Sequence, residues 1–192
     1  MNNSKRFGIP DEEFIRGKVP MTKEEVRAVT LAKLQLSDNS IILDIGAGTG
    51  SISIECAMFA PLGKVYAVEV NPEGILLIHK NIKKFNAANI EVIEGMAPLC
   101  LEGIKQVDRI MIGGSKGNIK EIIQWAKTHL IKDGIIAANF ISLENTVDFI
   151  KTLREQGYKY EVTQIFIAKG KTINELTMMQ ASNPIFIVKA AI

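Results

Sequence analysis

The densest chemical signal is Asp44-Ile45-Gly46-Ala47-Gly48-Thr49-Gly50, which closes an apolar run beginning at Ser40. Three glycines in five residues permit φ > 0 and let a ligand approach the backbone closely. A dinucleotide fingerprint, Gly-x-Gly-x-x-Gly, needs its third glycine where this chain has Ser51. Here it arrives one residue early, at Gly50. Asp44 adds a carboxylate two residues before the loop. That charge repels a pyrophosphate and suits an ammonium group, such as the amino-acid end of S-adenosylmethionine. A second acid, Glu69, ends the strand-like run 65–69, where a carboxylate can accept ribose hydroxyls. After the next apolar run, Gly95 and Ala97 are small enough for adenine to lie against the backbone. Asp44, Gly46 through Gly50, Glu69 and Gly95, in that order, predict S-adenosylmethionine as cofactor.

These residues must be held by alternating strands and helices. Strand patterns occupy residues 40–45, 64–70, 90–94, 109–112 and 135–140, and helix patterns lie between them. Thr22 with Glu25 reads as a capping box for a helix over 22–36. Asn71-Pro72 reads as a cap with proline at the first helical position. Asn118 with Glu121 reads as the cap of a helix ending near His129. Asp133-Gly134 reads as the turn into the fifth strand, and Gly157 as the end of a helix over 143–156. Residues 158–168 and 184–190 read as two strands with no helix between them, so they should pair antiparallel. The fold class is α/β: a doubly wound, mostly parallel seven-stranded sheet with a C-terminal antiparallel hairpin. Residues 1–192 read as one domain, with 1–21 an N-terminal arm.

The bulk numbers narrow the function. The chain has 192 residues, 23 basic and 21 acidic, and a net charge of +2. That excess is too small for a protein whose main task is gripping nucleic acid. Residues 1–7 are polar, unlike a signal peptide, and no apolar run is long enough to span a bilayer. The two cysteines, Cys56 and Cys100, have no metal-ligand spacing, so neither a metal site nor a disulfide is expected. A cytoplasmic protein without membrane or nucleic-acid partners is the expectation. His79, His129, Trp125 and the pair Met178-Met179 read as surface, capping or packing residues.

Three further segments carry a resemblance. They are Gly8-Ile9-Pro10-Asp11-Glu12-Glu13-Phe14 with Val19-Pro20-Met21-Thr22-Lys23-Glu24-Glu25-Val26-Arg27, then Ile112-Gly113-Gly114-Ser115, then Met178-Met179-Gln180-Ala181-Ser182-Asn183-Pro184. With the glycine loop they resemble the CbiT type of precorrin methyltransferase, within the class I S-adenosylmethionine-dependent methyltransferases. The resemblance covers nearly the whole chain. It implies methyl transfer to carbon-15 of a cobalt-precorrin, a tetrapyrrole, with decarboxylation of the carbon-12 acetate. It places Thr22 near the cofactor. It also implies a homotetramer and a separate carbon-5 methyltransferase as pathway partner.

A polycarboxylate substrate asks for cations. Arg16, Lys116, Lys169 and Lys171 lie in segments expected around the site, with Gly113, Gly114 and Ser115 beside the methyl donor. Lys18 belongs to the same set. Lys169-Gly170-Lys171 is read as a hairpin loop. Lysine there keeps the charge but lacks the two-pronged fork of arginine. No catalytic triad is evident, and none is required for methyl transfer. Rival readings are a methyltransferase acting on a protein or RNA, a dinucleotide-dependent oxidoreductase, and a non-catalytic binding domain. The missing Asn/Asp-Pro-Pro-aromatic signature after the fourth strand disfavours amine methylation of bases.

Overall fold

A computed structural model describes residues 8–191. Its main sheet has seven strands in the order β3-β2-β1-β4-β5-β9-β6. They are β1 (Ile41–Ile45), β2 (Lys64–Glu69), β3 (Ile90–Glu94), β4 (Val107–Ile112), β5 (Leu130–Phe140), β6 (Lys159–Ile165) and β9 (Ile185–Ala191). The first five are parallel, and β9 runs antiparallel between β5 and β6. The expected pairing of the last two strands of the sheet is therefore present.

Alternation along β1 explains the layers. Leu43 and Ile45 face one core with Ile110, Ile112, Ile136 and Phe149. Ile42 faces the other, with Leu31, Leu34, Ile54 and Met111. Side chains alternate across a strand, so a run of apolar residues buries both faces under helices. Helices α1 (Glu24–Leu34) and α2 (Ser51–Phe59) cover the second face. Helices α4 (Ile119–His129) and α5 (Leu143–Glu155) cover the first. Helix α3 (Pro72–Phe85) starts as expected: Asn71 caps it by accepting from the Glu73 N–H at 2.9 Å, and Pro72 opens it.

Several local expectations are corrected. Thr22 does not cap α1. The helix starts at Glu24, and the Glu24 N–H donates instead to Asp11 Oδ1 at 3.0 Å. A cap supplied from thirteen residues away leaves no local pattern to read. Asn118 stands at the start of α4 without a capping bond; its amide donates to the Ala97 carbonyl. Asp133 adopts φ 64°, but inside β5, as an irregularity between the pairs Val107–Leu130 and Arg109–Ile135. The stretch predicted as one strand over 158–168 ends at Ile165. A separate hairpin follows, β7 (Ala168–Ile173) and β8 (Leu176–Ala181). Its two-residue turn is Asn174-Glu175, both at positive φ, which matches the twist of paired strands. Lys169-Gly170-Lys171 thus lies within β7, not in a loop. Met178 and Met179 do not pack: they are exposed.

A buried polar network ties the arm to the body of the domain. Buried Arg27 donates to Glu55 at 2.5 Å, Asp11 at 3.1 Å, the Thr22 carbonyl and the Ile9 carbonyl. Glu55 also accepts from the N–H groups of Gly8 and Ile9. On α3, Asn81 bonds both backbone groups of Ile15 and the Thr49 carbonyl. Every guanidinium arm has a partner, which is the condition under which a buried charge is tolerated. The polar stretch 1–7 read from the sequence lies outside the described residues.

Candidate functional site

The sheet order reverses between β1 and β4, and a crevice opens there at the carboxyl ends of the strands. Open α/β sheets bind ligands at such a point. The cavity measures about 660 Å³, within the range of small-molecule sites. Asp44, Gly46, Ala47, Gly48, Thr49, Glu69, Gly95 and Ala97 line it, as does Thr22. So do Gly113, Gly114, Ser115, Lys116 and Lys169.

Four expected residues lie elsewhere. Lys18 is exposed, and its N–H donates to Glu73 Oε1 at 2.8 Å. Gly50, at φ 77°, starts α2, and a side chain there would press on Ile78 at 3.2 Å. It packs α2 on α3 beneath the crevice. Arg16 is exposed outside the crevice, in a separate groove that it lines with Gly17 and Lys23. Lys171 is exposed on β7, clear of the crevice wall. His79 is exposed, and His129 stacks on Trp125 at 4.1 Å at the end of α4. Cys56 is buried and Cys100 half-buried, both free thiols. No metal-binding cluster is found among the described residues.

The floor of the crevice is acidic. Asp44 is 1% exposed, and burial pushes its carboxyl up to about 6, against the Ser53 hydroxyl and N–H that favour the ion. The Ser53 hydroxyl donates to Asp44 Oδ2 at 2.5 Å. Glu69 accepts from the Gly48, Val70 and Asn71 N–H groups at 2.8, 2.8 and 2.7 Å. These bonds fix the second acid to both the glycine loop and the start of α3.

The loop itself is closely fitted. A Cβ on Gly46 would come within 2.7 Å of Gly114 backbone atoms, while one on Gly114 would meet nothing. Backbone is pressed on backbone behind the cavity, and open space lies in front of it. The arm covers the other side: the Pro20 carbonyl sits 3.1 Å from where a Gly48 Cβ would be. Buried Thr49 Oγ1 has no hydrogen-bond partner. A cationic amino-acid nucleoside fits this donor set: acids for ammonium and ribose, a spare hydroxyl, and apolar walls. A pyrophosphate does not fit beside two buried carboxylates.

Along its whole length the chain matches one family, the precorrin methyltransferase domain, over residues 2–191. The chain belongs to this family. Among curated proteins, the precorrin methyltransferase domain is 44% identical over 184 residues to a Sulfolobus acidocaldarius protein. That protein's name is "Probable cobalt-precorrin-6B C(15)-methyltransferase (decarboxylating)", and the alignment spans 94% of this chain and 95% of the relative. The cobalt-precorrin-6B C(15)-methyltransferase (decarboxylating) of Salmonella typhimurium is 37% identical, with 93% of each covered. A crystal structure of precorrin-6y C5,15-methyltransferase from Geobacter metallireducens superposes with a TM-score of 0.92. It is 40% identical, covering 96% of this chain and 98% of that one.

Sequence reasoning missed several residues that face the crevice of this precorrin methyltransferase domain. Asn139, at the end of β5, lines it and is held by Thr30 of α1 at 3.0 Å. Asp11 and Glu25 line it as well, and Lys169 pairs with Glu25 at 2.6 Å. Each depends on a contact between distant segments, and no local motif signals it. Ser182 and Asn183, quoted for the resemblance, do reach the wall.

Proposed function

We propose that this chain transfers a methyl group from S-adenosylmethionine to carbon-15 of cobalt-precorrin-6B and decarboxylates the carbon-12 acetate, releasing its carboxyl carbon as carbon dioxide, in cobalamin biosynthesis. One observation carries this reading: near full-length identity of 37–44% to proteins of that name, with a crevice suited to the methyl donor at the switch point. S-adenosylmethionine, when bound, supplies an electrophilic methyl group. The chain's own residues do the remaining work. Asp44 receives the amino-acid ammonium and Glu69 the ribose hydroxyls. Thr49 and Thr22 border that end, and Gly95 and Ala97 leave a flat slot for adenine. Gly113, Gly114 and Ser115, lacking bulk, admit the edge of a large macrocycle toward the donor. Lys116 and Lys169 pair with its carboxylates.

Catalysis then rests on placing the two reactants in line and excluding water, with the arm over the loop as the cover. The net balance neither consumes nor releases a proton. A methyl cation equivalent arrives, and the electron pair of the broken bond to carbon dioxide neutralises the conjugated ring system. The former acetate carbon is left as an exocyclic methylene, which becomes a methyl group by a proton shift within the macrocycle. Among the described residues no nucleophile–base pair stands at the centre of the crevice.

The same reading takes the chain as one catalytic domain working in the cytoplasm, in keeping with its free thiols. It assembles as a homotetramer, and carbon-5 methylation belongs to a separate enzyme. No helix of the described residues is long and apolar enough to cross a membrane. The test is a transfer assay with labelled cofactor. Cobalt-precorrin-6B should accept label and tRNA should not; the reverse result would overturn the substrate assignment.

A further inference from the structure

We propose that Glu25 is the resting partner of Lys169 and gives it up to a substrate carboxylate, so that Glu25 sets how tightly substrate binds. This rests on reading the crevice as a polycarboxylate tetrapyrrole site. Three cations line the crevice among the described residues: Lys23, Lys116 and Lys169. Two of them already face acids of the same wall. Lys23 lies 3.6 Å from Asp11, and Lys169 lies 2.6 Å from Glu25. A polyanionic substrate therefore competes with the protein's own carboxylates for two of its three cations.

The two pairs are not equivalent. Asp11 is held independently, by Arg27 at 3.1 Å and by the Glu24 N–H at 3.0 Å. Its position does not depend on Lys23. Glu25 relies on Lys169: one carboxylate oxygen takes the ammonium, and the other, Oε2, is buried with no donor. Burial works to raise the Glu25 carboxyl, but Lys169, helped by the residue's own N–H, holds it below the usual value. The pair sits at the rim, with Lys169 54% and Glu25 38% exposed. Solvent screens such a pair, so a second carboxylate can displace it.

Geometry allows the exchange. Lys169 belongs to the β7–β8 hairpin, which pairs with no strand of the main sheet. The Ser182 N–H to the Ile167 carbonyl, at 2.9 Å, closes the base of this hairpin. Lys169 can thus turn from Glu25 toward the cavity without breaking a ladder. Glu25 is left near Asp11, whose charge already disfavours its ionised form. That repulsion draws Lys169 back when the substrate carboxylates leave.

The experiment is steady-state kinetics on cobalt-precorrin-6B with wild type, Glu25→Gln, Lys169→Met and the double variant, each checked by thermal melting. Removing the competitor should lower KM about two- to fivefold, with the change carried by KM rather than kcat. In the Lys169→Met background, Glu25→Gln should leave KM where it was. An unchanged or higher KM in Glu25→Gln overturns the exchange, as does an equal fall without Lys169, which would mean simple repulsion of the substrate. Glu25→Ser is held to the same comparison should Glu25→Gln melt early. Wild-type turnover with an unmoved KM sinks the exchange alone; no wild-type turnover sinks the proposed substrate as well.

Discussion

In the proposed function, Asp44 is the side chain on which cofactor recognition turns. It is buried, so its negative charge is costly unless a cation arrives. Replacing it with asparagine removes a charge-assisted contact worth about 1.5–3 kcal/mol, or roughly 10- to 150-fold in Kd for S-adenosylhomocysteine. Titration calorimetry on Asp44→Asn measures this directly. The sign of the pH dependence follows from the raised carboxyl, which sits at about 6. Above that pH the carboxylate is ionised and attracts the ammonium; below it the proton removes the attraction. Affinity for S-adenosylhomocysteine should therefore fall as pH drops through about 6. Asp44→Asn should lack this step, and a step of equal size in the variant would assign it to another group. The place of Asp44 in the crevice was legible in the sequence because acid, glycines and strand are contiguous. Its partner Ser53 was not, because one turn of helix had to be placed before their 2.5 Å contact could exist.

At the scale of elements, the glycine loop is held in one conformation by what lies behind it. Gly46 has φ 72°, and any side chain there meets the Gly114 backbone at 2.7 Å. Gly46→Ala should destabilise the fold by about 1–3 kcal/mol, read from the urea midpoint, and should also weaken cofactor binding. The start of α1 gives a second expectation. Asp11→Ala removes the acceptor for the Glu24 N–H, so stability should drop by about 1 kcal/mol or more. Because Asp11 also faces Arg27, the loss should exceed that of an ordinary surface cap. Elements whose signals are local were readable: the strand periods, the Asn71-Pro72 start of α3, and Gly157 after α5, at φ 83°. The caps of α1 and α4 were misread for the opposite reason. Thr22 and Asn118 have suitable side chains, but at α1 Asp11 takes the helix N–H, and at α4 the Asn118 side chain is bonded to Ala97. The β7–β8 hairpin escaped detection because both its strands are exposed and lack an apolar–polar alternation.

For the whole molecule, that hairpin is the feature one chain does not explain. An isolated two-stranded hairpin is marginal in water, and this one exposes Ile173, Leu176, Met178 and Met179. Phe166 and Ile141 are exposed near its base. In the proposed tetramer, burial against further copies would account for these side chains. Sedimentation velocity should give a single species of four chains, and Leu176→Lys with Met179→Lys should shift it toward smaller ones. A monomer for the unaltered protein would remove the tetramer from the proposal while leaving the crevice intact.

The chemistry is tested most directly by product analysis with a carbon-13 methyl donor. Cobalt-precorrin-6B is converted by the enzyme, evolved gas is trapped, and the labelled position is read by carbon NMR. Each turnover should place one labelled methyl on carbon-15 and release one carbon dioxide from the carbon-12 acetate. Label on any other atom, or methylation without stoichiometric gas, would contradict the proposed function.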